Sequence, residues 1–353
     1  MRIGKQGKTP VKLRQQTSVG YKIWMVLRIA ILIGIIVFLI WAQHNLVINN
    51  EYVYSSHRVP KTFVGYKVVH VSDLYNTDVN VVGSVKRADP DIIVVSGSLM
   101  DDKGNYDSSL NILNKLVKEA PCYIVFDSKD LEAELDKKIN DNIQILNAAA
   151  YTIDAPEINE QAFIEKYVGK HIVNRADRGD EYAKLYIEYT KKTLLDQSNA
   201  AFILSGFTFD SIPDNYIELI YDVIGTDKSI FQMSVLNQVG AFNSLANTDV
   251  DLVFSGGTLG TTKISKTYTK GAFIKDGTNL FLSRGLGLSE KFETKLFNFP
   301  EITTVILSDG TIKNENPLER FIGLFITDVN TKFSEDTGFV TYTKYVNGEE
   351  VVE

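Results

Sequence analysis

The sequence predicts an α/β domain carried behind one membrane-crossing helix. Three observations lead there. Short apolar runs end abruptly in loops of small and acidic residues at 67–75, 91–101, 121–130, 229–237 and 251–260. A strand that runs straight into such a loop is how open α/β sheets present chemistry at their strand ends. Between several of these runs, apolar residues recur three and four apart, the spacing of a helix that buries one face. Upstream of them all, 23–42 is a twenty-residue stretch with a single charge, Arg28.

At about 1.5 Å per residue that stretch spans a hydrocarbon core of roughly 30 Å. Trp24 and Trp41 stand near its ends, where amphipathic aromatics favour the interface, and Arg28 can snorkel to the headgroups. Residues 1–28 carry seven cations and no acid. The positive-inside rule therefore places the N-terminus in the cytoplasm and 43–353 outside the cell membrane. No small-x-small pattern follows Trp41, which favours a retained anchor over a cleaved signal peptide. The expected order is a cytoplasmic basic segment (1–22), the membrane helix (23–42) and a polar linker (43–62) that holds His44 and His57.

The domain begins with a strand over 68–71 that ends at Ser72 and Asp73. A short helix is expected over 79–87. Pro90 opens a continuous apolar strand at 92–95, the pattern of a strand buried on both faces. Leu110, Ile112, Leu113 and Leu116 predict a helix over 108–119, which Pro121 terminates ahead of a strand at 123–126. A helix at 131–138 and strands at 143–146 and 148–153 follow. Residues 155–198 are polar and charged, with Tyr182, Leu185, Tyr186 and Tyr189 at helical spacing; they read as a helical insertion with a solvated face. Strands are expected at 200–207, 231–235, 250–254, 280–283, 302–307 and 324–329, with a helix at 212–220. Asn347-Gly348 between β-prone runs predicts a closing hairpin.

Composition narrows the function. Of the formal charge of −7, the N-terminal 28 residues contribute +7, leaving 30 cations against 44 acids in 29–353. An acidic body is a poor partner for nucleic acid, which needs a basic surface. The single cysteine, Cys122, excludes an intrachain disulfide and sits in an apolar strand pattern, where it reads as an inert thiol.

Five loops carry the candidate chemistry: Asp73-Leu74-Tyr75; Gly97-Ser98 with Asp101; Asp127-Ser128-Lys129-Asp130; Val235 in Met-Ser-Val-Leu-Asn; and Gly256-Gly257-Thr258-Leu259-Gly260. In order, spacing and strand context they resemble the calcineurin-like metallophosphoesterase family, in its membrane-anchored bacterial branch. The segments 282–287 and 296–307 resemble that family's closing stretch, and the resemblance covers about 20–310, the insertion excepted. It implies a sandwich of two β-sheets flanked by helices over 63–310, followed by a β extension at 311–353. It also implies a dinuclear centre of Mn, Fe or Zn that activates a water and clamps phosphoryl oxygens.

Against that pattern, six of seven ligand positions are altered. Asp73 remains. Tyr75 replaces a histidine, and Ser98 the bridging aspartate. Ser128 stands for an asparagine. Val235, Gly257 and Leu259 stand for histidines. Lys129 replaces the family's general-acid histidine, and a lysine of ordinary pKa, about 10.4, holds its proton too tightly for that task. None of the four histidines of the chain falls at a ligand position; His70 lies within the first strand and His171 in the insertion. Neither a catalytic residue nor a bound cofactor is expected. If any cation is held, its ligands would be Asp73, Asp101, Asp127 and Asp130, which suit one hard ion such as Mg²⁺ or Ca²⁺; the simpler reading makes them loop caps.

The expected function is that of a membrane-anchored, catalytically inactive pseudophosphatase, serving as a binding or scaffold module in the cell envelope. Its partner would be a protein, or a small anion met by Lys129 and the amides of the 256–260 loop. The alternative is a metal-dependent phosphoesterase acting on an envelope or lipid phosphoester. A third reading gives the working surface to the insertion and the tail.

Overall fold

The computed structural model describes residues 19–156, 161, 164–165, 168–195, 201–208, 216–225, 227, 229–260, 267–287, 299–309, 329–333, 340–346 and 349–352. Helix α1 (Val19–Asn45) contains an apolar window, Gly20–Leu39, of mean hydropathy 2.4 and with none of it buried. It is long and apolar enough to cross a membrane. The Arg28 guanidinium lies 3.2 Å from the centroid of the Trp24 ring, so this charge of the apolar helix stacks on an aromatic one turn before it.

Two six-stranded mixed sheets follow. The first has the order β1 (Ile48–Ser55), β12 (Glu301–Ser308), β2 (Lys67–Ser72), β3 (Ile92–Ser96), β4 (Cys122–Ile124), β5 (Ile143–Ile145). Its strands β2 to β5 are parallel, and β12 runs antiparallel to β2 and parallel to β1. The second has the order β10 (Gly271–Lys275), β11 (Thr278–Leu282), β9 (Leu252–Ser255), β8 (Phe231–Leu236), β7 (Ala201–Phe207), β6 (Ala149–Asp154). Here β11, β9, β8 and β7 are parallel, with antiparallel edges.

Alternation along the strands builds three apolar layers. Val68 of β2, Ile92 and Val94 of β3 and Val125 meet Phe202, Leu204, Phe231, Met233, Leu252, Phe254 and Phe281 of the second sheet, forming a core between the sheets. Phe63, beside β2, packs edge-on against Phe202 at 4.8 Å. Each such fully buried side chain contributes about 1.5–3 kcal/mol. The opposite residues, Val69, Val71, Ile93 and Val95, pack under helices α2 (Val81–Ala88) and α3 (Asp107–Leu116). Val253, Leu236 and Leu280 pack under α7 (Tyr216–Ile224) and α8 (Phe242–Leu245). Burial on both faces is why β2, β3, β8 and β9 read as near-continuous apolar runs.

Several expectations change. The segment read as a linker contains β1, an edge strand whose polar Asn49, Asn50 and Glu51 masked its pairing with β12. The helix expected at 131–138 is a short α4 (Ser128–Glu132) and a 3₁₀ turn at Leu135–Lys137. The insertion contributes α5 (Lys170–Asp177) and α6 (Glu181–Leu195), between antiparallel neighbours β6 and β7. Its periodic face points outward: Tyr182, Leu185, Tyr186 and Tyr189 are 85%, 60%, 52% and 68% exposed, while the small Ala176 and Ala183 are buried. The tail forms an antiparallel sheet of β13 (Val329–Phe333), β14 (Val340–Val346) and β15 (Glu349–Val352). Val346 pairs with Glu349, the register of a two-residue hairpin; 347–348 themselves, and most of the strand expected at 324–329, lie outside the described residues.

Candidate functional site

The five predicted loops converge on one edge, where β2, β3, β4, β8 and β9 all end. Asp73 sits at its centre, 1% exposed, with φ of 51°. Its backbone N–H donates to the Ser96 carbonyl (2.9 Å), which locks the loop after β2 onto the end of β3. Its carboxylate Oδ2 accepts the backbone N–H of Gly257 (2.8 Å), which reaches from the second sheet. Asp73 thus ties the ends of the two sheets together. A desolvated carboxylate is tolerable only when it is hydrogen-bonded, and here an amide supplies that bond.

Glycines make the approach sterically feasible. A Cβ on Gly256 would lie 2.6 Å from Asp73 Oδ2, and one on Gly285 would lie 2.7 Å from Asp73 Cβ. One on Gly97 would collide with Asp73 Oδ1, and that residue also has φ of +79°. Beside them, Tyr75 (φ 43°), Asn76 (φ 54°) and Leu259 (φ 50°) adopt the left-handed region as well. Such strained backbone clusters where a site has dictated the loop geometry.

The other expected positions are filled by different means. Tyr75 and Ser98 are hydrogen-bonded through their side chains; burial first, and the Asp73 charge next, hold the phenol above its ordinary range. Ser98 Oγ in turn donates to Asp127 Oδ2. Val235 is fully buried in the core between the sheets. Leu259 is 1% exposed, so apolar bulk stands where the resemblance places an imidazole. Lys129 is exposed in the first turn of α4, and Ser128 precedes it half-buried.

The four carboxylates proposed for a single cation are turned to separate tasks. Asp127 caps α4, accepting the Asp130 N–H (2.9 Å). Asp130 accepts the N–H groups of Leu99 (2.9 Å) and Met100 (3.1 Å), and burial, then the neighbouring Asp127 charge, push it up to about 7. Asp101 accepts the backbone N–H groups of Lys103 (2.9 Å) and Asn105 (2.8 Å) and the Asn105 amide (2.8 Å). Partial burial works upward on it, and these bonds outweigh that and hold it below the ordinary carboxylate range. Among the described residues no three His, Cys, Asp or Glu side chains form a group that could hold a metal ion. The N–H of Gly257, offered by the sequence to an anion, is donated to Asp73 instead.

His70 faces the gap between the sheets. Its Nε2 lies 2.8 Å from Ser96 Oγ, its Nδ1 is buried without a hydrogen-bond partner, and its ring stands 5.5 Å from that of Phe254. Burial depresses its pKa to about 3, so the ring is neutral at physiological pH. It is a strand residue, as the sequence suggests.

Reading the motifs alone misses a buried pair next to Gly285, the glycine that packs on Asp73. Glu301 accepts the backbone N–H of Arg284 (2.6 Å), and its carboxylate also pairs with the Arg284 guanidinium and the Asn50 amide. The two side chains are 2% and 11% exposed. The sequence shows only an acid directly after Pro300 and a cation, Arg284, in the 282–287 segment.

Compared with known proteins, the chain matches no family model, no curated protein and no solved structure.

Proposed function

We propose that this chain is a non-catalytic relative of the metallophosphoesterases, tethered to the cell membrane by α1 with its domain outside, and that it works as a binding or scaffold module. The observation that carries the reading is the use made of Asp73. A carboxylate that ligates a metal presents a lone pair to a side from which the ion can approach. Here Oδ2 is engaged by the Gly257 N–H, with the Gly97, Gly256 and Gly285 backbones packed around the carboxylate. At other positions where the resemblance expects ligands stand a buried valine, a buried leucine and a tyrosine bonded to a serine. Losing two dications from a cluster of carboxylates and imidazoles leaves uncompensated charge, and apolar or small replacements relieve it.

The surface that favours a binding role is the outward stripe on α6. Four large side chains, three of them tyrosines, stand at i, i+3, i+4 and i+7 and are more than half exposed. Tyrosine and leucine on one helical face can anchor a protein partner through buried area and a hydroxyl rim.

Phosphodiesterase assays on the full chain in detergent, with Mn²⁺, Mg²⁺ or Zn²⁺, test the absence of catalysis. Hydrolysis of an aryl phosphodiester is expected at the rate of an Asp73→Ala control. A rate ten or more times that control, roughly the contribution of a single modest catalytic group, would restore the phosphoesterase reading.

A further inference from the structure

The connection between the membrane helix and the domain is very short. α1 ends at Asn45 and β1 starts at Ile48. Two residues intervene. Leu46 is exposed, and Val47 already packs on the core beneath the first sheet. The N–H of Ile48 donates to the Pro300 carbonyl (2.8 Å). Three residue steps reach at most about 11 Å, so the start of β1 cannot stand far from the end of α1.

The start of β1 also lies at a definite edge of the domain. Ile48 pairs with Glu301, and β12 then runs antiparallel to β2 with Thr303 opposite His70. Glu301 is therefore level with the end of β2. Its N–H donates to Gly285 (3.3 Å), and Gly285 packs on Asp73. From Ile48, β1 runs away to the opposite edge. There Arg58 pairs with Asp251 at the entry of β9. With a rise of about 3.3 Å per residue over the seven steps of β1, its two ends stand roughly 23 Å apart.

We infer that the Asp73 edge of the domain faces the bilayer crossed by α1, so that the loops following β2, β3 and β4 are its lipid-facing surface. Its occupant is the headgroup layer of the chain's own membrane. The exposed ionic side chains on these loops and the helix starts that follow them are of both signs, with Lys103 and Lys129 among Asp78, Asp102, Asp107 and Glu132. Contact with a zwitterionic surface suits this mixture, and anionic lipid is not required. The same geometry sends the α6 stripe the other way. β6 begins with Ala149 opposite Gly206 at the Asp73 edge and ends with Asp154 opposite Ala201, so the insertion departs from the far edge. A ligand of the Asp73 edge would then come from the membrane surface, and a partner of α6 from solution.

This inference rests on α1 being a retained anchor, and the experiment separates the two. The full chain is reconstituted in phosphatidylcholine vesicles doped with an acceptor-labelled lipid. A donor fluorophore is attached to Lys129→Cys at the Asp73 edge, to Lys86→Cys near the entry of β3, or to Tyr182→Cys on α6. Cys122 is buried with its thiol pushed up to about 12, so it does not compete for label. Energy transfer from the Lys129→Cys site is expected to exceed that from the other two severalfold. Equal transfer from all three, or stronger transfer from Lys86→Cys or Tyr182→Cys, overturns the orientation while the chain stays in the vesicles. Absence of transfer together with release of the chain by alkaline carbonate overturns the anchor, and the orientation with it.

Discussion

Gly97→Ala is expected to lower the stability of the domain by about 3 kcal/mol or more. The added methyl collides with the Asp73 carboxylate, and the position holds a φ of +79° that alanine adopts only at a cost. The collision is with a side chain, so a second substitution relieves part of it. Asp73→Gly alone removes a charge-assisted hydrogen bond to Gly257, worth about 1.5–3 kcal/mol. In Gly97→Ala/Asp73→Gly the methyl no longer meets a carboxylate. The double variant should be more stable than the sum of the two losses predicts, by about 1–2 kcal/mol. Urea unfolding of the four chains in detergent measures the cycle. Strict additivity would mean that the glycine serves its own backbone and does not make room for Asp73.

Glu301→Ala is expected to cost about 3–5 kcal/mol, the loss typical of removing one partner of a buried ion pair. The arginine left behind is 11% exposed, and the substitution also frees the Asn50 amide that ties β1 to β12. Glu301→Gln keeps the shape and one acceptor, so it should lose less. Thermal unfolding of both variants decides the matter. A loss below about 1 kcal/mol in Glu301→Ala, the level of an exposed pair, would contradict the account. The outcome also bears on the proposed orientation, because Glu301 connects the first strand after α1 to the edge that holds Asp73.

Much of the architecture was legible where burial on both faces writes a continuous apolar run. β2, β3, β7, β8 and β9 fall where the sequence places them, and so does the long apolar helix near the N-terminus. Strands with weaker patterns escaped. β1 is an edge strand with three polar residues in succession, and nothing local distinguishes it from a linker. β10 was missed although Asp276-Gly277, with φ of 51° and 87°, marks its hairpin with β11; that dipeptide is the signal that could have found it. The outward stripe of α6 defeats pattern reading for another reason. A 3.6-residue apolar period states that a face exists, and only the packing of Ala176 and Ala183 shows that this one is turned to solvent.

At the candidate site, the motifs located the edge and its central residue. They could not show what the residue does. That Asp73 receives an amide from the other sheet depends on a pairing between positions 184 apart in sequence. The sequence could not show either that one amide of the 256–260 loop, that of Gly257, is donated to Asp73. The loop-cap reading of Asp101 and Asp127 followed from short-range geometry, an acid accepting amides two to four residues ahead, and was within reach of the sequence; Asp130 instead accepts the amides of Leu99 and Met100, 31 and 30 residues back, which no local pattern shows.

The most direct test of a metal-free, structural Asp73 is elemental analysis of the full chain, purified in detergent, saturated with Mn²⁺, Fe²⁺ and Zn²⁺ and then dialysed. Retention below roughly a tenth of an equivalent is the predicted result. About two equivalents of tightly held metal, absent from Asp73→Ala, would contradict it, because Asp73 would then belong to a working dinuclear centre.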